Sequence, residues 1–137
     1  MTLLRLATIH LVTPNDDSRR DDILTFYRND RLPTEMIEVV YRPGDLRTTS
    51  YRSWMHRSAI GPYLLRLFQG LERDTDPFHK IQFSPCNAPA IFYHVSDLFT
   101  CNIPVAANII HQMNDLLNTE VVVEERRNLT AEAETEW

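Results

Sequence analysis

Residues 2–13, TLLRLATIHLVT, alternate in a way that leaves no polar side to an extended strand. Leu4, Leu6 and Val12 share one face, and Leu3, Ala7, Ile9 and Leu11 share the other. A strand apolar on both sides belongs in the middle of a sheet rather than at its edge. The rest of the chain must then supply neighbouring strands and a layer to cover them.

Other segments read as such neighbours. Glu35–Arg42 (EMIEVVYR) alternates, with Ile37, Val39 and Tyr41 inward and Glu38 and Arg42 outward. PNDDSRRDD from Pro14 is a polar loop, ILTFYR (Ile23–Arg28) is ambiguous, and Arg42–Asp45 (RPGD) is a turn. FHKIQFS and AIFYHVS flank the loop SPCNAP as a hairpin, and TEVVVEE (residues 119–125) reads as a last short strand.

Two regions carry helical periodicity. In the first, Tyr51, Trp54, Met55 and Ser58 line one side of a segment capped by Thr49 or Ser50. Gly61-Pro62 interrupts it, and Leu64, Leu65, Phe68 and Leu71 then form the buried stripe of a second segment, so a kinked helix pair is predicted. In the second region, Asn102 is the predicted N-cap, Pro104 suits the first turn, and Val105, Ile109, Met113, Leu116 and Leu117 form the apolar face. The expected fold is α+β: a single domain over residues 1–125 with a mostly antiparallel sheet of about five strands. Two main helical regions pack on one face. Residues 126–137 are expected to form an acidic, flexible tail.

At 137 residues the chain can bury a full core. No apolar run reaches a membrane span. With two cysteines and no export signal read at its start, the chain is expected in a reducing intracellular compartment, cytoplasmic or nuclear, and not secreted. The formal charge of −5 argues against non-specific nucleic-acid binding by the whole molecule. The charge is unevenly placed. Residues 41–73 carry six arginines against two acids, and residues 119–137 carry two arginines against six glutamates.

HKIQFSPCNAPAIFYHVSDLFTC contains His-x6-Cys twice, as His79/Cys86 and His94/Cys101. If the hairpin closes symmetrically about SPCNAP, Phe83 faces Ala90, Ile81 faces Phe92 and His79 faces His94. Cys86 then sits at the tip, roughly 20 Å from His79, and cannot share an ion with it. His79 and His94, with Asp76 and Asp97 nearby, could hold zinc or act as an acid–base pair. Two edge histidines bonded to loops are the plainer reading, so no metal and no cofactor are expected.

G-x-G-x-x-G, G-K-[ST], G-x-S-x-G and H-E-x-x-H are all absent, and nothing local activates Cys86 as a nucleophile. A non-enzymatic role is therefore expected, as a protein–protein interaction or self-assembly module, with a two-fold homo-oligomer as the expected state. Tyr51, Trp54 and Met55 are the residue types enriched at interface centres. Arg52 and Arg57 beside them could meet Glu132, Glu134 and Glu136 of a neighbour. On this reading, deleting residues 126–137 weakens assembly. The alternative is a nucleic-acid or anion-binding regulator using residues 42–73, with Arg42, Arg47 and Arg52 converging on an anion.

Overall fold

The computed structural model describes residues 3–12, 21–45, 49–75, 79–100 and 104–118. Six strands form one antiparallel sheet: β1 (Leu3–Val12), β2 (Asp22–Asn29), β3 (Met36–Arg42), β4 (Tyr51–His56), β5 (Lys80–Pro85) and β6 (Ile91–His94). Their spatial order is β4-β3-β2-β1-β5-β6. Two helices complete the domain, α1 (Ile60–Asp74) and α2 (residues 105–118). The expected α+β architecture is the observed one, with six strands among the described residues where about five were predicted for the chain.

β1 lies in the interior of the sheet, between β2 and β5. Its two faces are not equally apolar, however. A bulge between Arg5 and Ala7 resets the alternation, so that Leu6 and Ala7 are both fully buried. Beyond the bulge, Ala7 and Ile9 face the core, while Thr8, His10 and Val12 take the other side with Arg5.

β1 to β4 run as a meander. β5 is antiparallel to β1 and therefore runs the same way as β4, which a tight turn cannot join. α1 makes the crossing. At fifteen residues it is about 22 Å long, enough to return the chain along the sheet. Ile60, Leu64 and Phe68 of α1 are fully buried, and so are Ile109 and Met113 of α2. They join Ile9, Leu24, Phe26, Ile37, Val39, Ile81 and Phe83 in one core. Both helices thus pack on the sheet face that carries these residues. The predicted stripe needs one correction. Leu65 is 40% exposed, because in a helix the neighbour of an inward-facing Leu64 is turned about 100° away.

The segment before Gly61-Pro62 is not a helix. Residues 51–56 form β4 and residues 57–59 a single 3-10 turn, in which the His56 ring accepts from the Ser58 N–H. Over six residues the spacing of Tyr51, Trp54 and Met55 fits either period. Pairing decides it, because a helix here would leave the whole flank of β3 without hydrogen-bond partners. Tyr51 stacks on its cross-strand neighbour Tyr41, with ring centroids 6.4 Å apart. Neither Thr49 nor Ser50 caps a helix. Pro62 does occupy the first turn of α1, as predicted.

The β5–β6 hairpin closes one residue away from the symmetric register. Phe83 pairs with Ile91, Ile81 with Tyr93 and Lys80 with His94. This register places Tyr93 rather than Phe92 on the core side, and Phe92 stands 59% exposed. The predicted last strand (119–125), the tail (126–137), Asp76, Cys101, Asn102 and Arg47 lie outside the described residues.

Candidate interaction surface on the helix-free face

Alternation and register determine what the second face of the sheet carries. Across the strands, Arg52 and Trp54 of β4 are followed by Glu38, Val40 and Arg42 of β3 and by Ile23, Thr25 and Tyr27 of β2. Arg5, Thr8 and His10 come next from β1, then Lys80, Gln82 and Ser84, and finally Phe92 and His94. None of the described helices packs here. Trp54 and Phe92, on the two edge strands, are separated by five strand spacings, roughly 24 Å.

Glu38 is the centre of the β4 side. It is only 3% exposed, although it lies on the face without helices. Its Oε1 accepts from the Trp54 indole N–H at 3.3 Å and from Arg52 Nη1 at 3.5 Å. Trp54 itself is 61% exposed, and the Arg52 side chain equally so. One buried carboxylate thus holds a tryptophan and an arginine in fixed positions with their outer surfaces in water. Glu38 Oε2 is buried without a hydrogen-bond partner. Such a group costs about 1–3 kcal/mol, so this arrangement is not one that stability alone would favour.

Charge on this face is mostly positive: Arg5, Arg42, Arg52 and Lys80 against Glu38. Asp21 adjoins it and bonds His10 Nε2 at 2.7 Å. Arg5 donates to Thr8 Oγ1 and to the Ser84 carbonyl, which spreads its guanidinium over β1 and β5.

The residues singled out from sequence are divided by this geometry. Trp54 and Arg52 share the helix-free face. Tyr51 and Met55 alternate to the other, where Met55 packs against the core and Tyr51 lies exposed on Tyr41. Arg57 sits in the 3-10 turn beyond the strand. The single patch expected from helical spacing is therefore two half-patches, one on each side of an edge strand. Arg42 and Arg52 do share a face, but the Arg42 guanidinium reaches the Asp21 carbonyl and Arg52 is held by Glu38. Arg66 lies on α1, and Arg73, also on α1, pairs with Asp74. The arginines of 42–73 do not form one cluster among the described residues.

The histidine pair does not form. His94 stands opposite Lys80, not His79, and its Nδ1 lies 3.9 Å from Asp97 Oδ2. Among the described residues, no three His, Cys, Asp or Glu side chains come together as metal ligands. Cys86 is exposed in the hairpin turn. No described helix is long and apolar enough to cross a membrane. An open groove of about 430 Å³ lies on the outer side of the helices, between Leu65, Phe99, Ala106 and Ile110. Its lining is apolar apart from His111 and Asn114, and His111 pairs with Asp115.

Glu38 was legible as an outward residue of β3, but nothing in the sequence marked it as buried. That depends on Trp54 lying directly across from it, which the helical reading of 51–58 excluded. No family model, curated protein or solved structure matches this chain.

Proposed function

We propose that the chain is a non-catalytic protein-interaction module whose contact surface is the helix-free sheet face around Trp54 and Arg52. The observation that supports this most is the Glu38 hub, a buried carboxylate that orients two exposed side chains of the types that dominate binding energy. Fixing them in advance lowers the ordering cost of association. Among the described residues β4 is also an edge strand of the sheet, beside the same two residues. A second copy of the chain, related by a two-fold axis, is the first partner to test.

Glu38→Leu separates binding from stability. Replacing a buried, partly paired charge by an apolar side chain of similar volume is often neutral or stabilising. The variant should hold its urea midpoint or exceed it, while losing affinity because Trp54 and Arg52 are no longer oriented. Self-association would be read by light scattering over a dilution series. Unaltered association by Glu38→Leu would count against the hub, and a large loss of stability would make Glu38 a structural residue.

The nucleic-acid or anion reading has one observation in its favour, the placing of Arg5, Arg42, Arg52 and Lys80 on one face with Trp54 and Phe92. Stacking on aromatic side chains beside cations is how single strands are held. Against it, Arg42 and Arg52 are already engaged with protein oxygens.

A further inference from the structure

Both edge strands of the described sheet carry apolar side chains on both of its faces. On β4, Trp54 is exposed on the helix-free face and Met55 is half-buried on the helix side. On β6, Phe92 is exposed on the helix-free face. Ile91, opposite the buried Phe83, is still 39% exposed on the helix side. Edges that face water are ordinarily blunted by charge, proline or a bulge. The four residues of β6, IFYH, include neither proline nor a permanently charged side chain.

The hydrogen-bond phase fixes which backbone groups turn outward. Arg57 N–H donates to the Glu35 carbonyl at 2.7 Å, in the register that pairs Met36 with His56. Bonded and non-bonded pairs alternate in an antiparallel ladder. Tyr51, Ser53 and Met55 therefore bond to β3, and Arg52, Trp54 and His56 turn their backbone groups away from it. Likewise Val95 N–H donates to the His79 carbonyl at 2.9 Å, so Ile91 and Tyr93 bond to β5 while Phe92 and His94 turn outward. Directions alternate across the six strands, so β4 and β6 run oppositely. A two-fold axis parallel to the strands keeps those directions. It brings β4 of one copy antiparallel to β6 of the other.

We propose that two copies pair edge to edge, β4 of each with β6 of the other, with Trp54 opposite the partner's Phe92. The pairing rests on the Trp54 region being the contact surface, and it names the element that meets it. Arg52 then stands opposite the partner's His94, Ser53 opposite the partner's Tyr93 and Met55 opposite the partner's Ile91. All of β6 is matched, with an aromatic pair on the helix-free face and an apolar pair on the helix side. Arg52 and His94 each bring an acid of their own, Glu38 at 3.5 Å and Asp97 at 3.9 Å. Pairing β4 with a second β4 would leave Ile91 and Phe92 in water. Made twice between the same two copies, the contact closes on the two-fold and pairs both edges of each described sheet. The bulge in β1, in the interior of the sheet, is a feature that bends a sheet toward such closure.

Disulfide trapping tests the pairing. Full-length chains with Cys86→Ser and Cys101→Ser carry either Arg52→Cys or His94→Cys. Both side chains are well exposed, so the fold tolerates either change. Bonded cross-strand pairs have Cα atoms about 5.5 Å apart, within disulfide range. In a glutathione redox buffer, the mixture of the two chains should form an intermolecular disulfide about tenfold or more faster than either chain alone. In the unsubstituted chain, exchange of the Trp54 and Phe92 amides should slow about tenfold or more as association proceeds. Molar mass from light scattering should level off at two chains. Disulfides formed by each variant with itself, with no gain on mixing, would overturn the pairing in favour of like edges. A mass that keeps growing with concentration would overturn the closed form. Association without the mixed disulfide or amide protection would overturn the edge contact and leave the contact face to be judged by Glu38→Leu. A chain monomeric at every concentration would overturn both the pairing and self-association through that face.

Discussion

Phe68→Ala is expected to lower the unfolding free energy by about 3–5 kcal/mol, the range for emptying a buried aromatic site. Phe68 is fully buried, on the side of α1 that carries Ile60 and Leu64 to the sheet. The informative control lies three residues earlier. Leu65→Ala should cost less than about 1 kcal/mol, because Leu65 stands on the outer side of the helix. Urea denaturation of the two variants measures the contrast. Similar losses would mean that α1 is rotated from the orientation described here.

Trp54→Ala should have its large effect on association instead. A central tryptophan of an interface typically contributes 2 kcal/mol or more, so the self-association constant should fall by about 30-fold or beyond. The fold should tolerate the change, with a loss under about 1 kcal/mol, because most of the indole is in water and removing it opens the Glu38 carboxylate, which keeps Arg52, to solvent. By residue type alone Trp54 could equally fill its own core. Its exposure places it outside the core, and a chain unfolded by Trp54→Ala would contradict that placement. Dilution light scattering together with a thermal melt separates the two outcomes.

Much of the scaffold was readable because its signals were long or chemically restrictive. The stripe Val105, Ile109, Met113, Leu116 and Leu117 extends over more than three helical turns, where no strand period competes. Ile37, Val39 and Tyr41 alternate cleanly. Short segments failed for a physical reason. Tyr51–His56 offers six residues, and its state is settled by the unpaired flank of β3, which is a property of the sheet and not of the segment. The bulge at Leu6 and the one-residue offset of the β5–β6 hairpin are likewise set by packing across strands. Each reverses which side chains face inward. The candidate surface inherits these errors. Trp54 and Arg52 were singled out for their types, but their relation to Glu38 exists only once β4 is a strand.

Site-specific photo-cross-linking tests directly which side of the sheet meets a partner. A benzophenone amino acid is placed one position at a time at His56 and Phe92 on the helix-free face, and at Arg66 and His111 on the outer side of the helices. All four positions are exposed, so the label can be carried without disturbing the core. The full-length chain is irradiated at concentrations that span its association. The helix-free face as contact surface predicts cross-linked products from positions 56 and 92, reduced by Trp54→Ala, with little from 66 or 111. Products confined to 66 and 111 would move the contact to the helices and contradict the account.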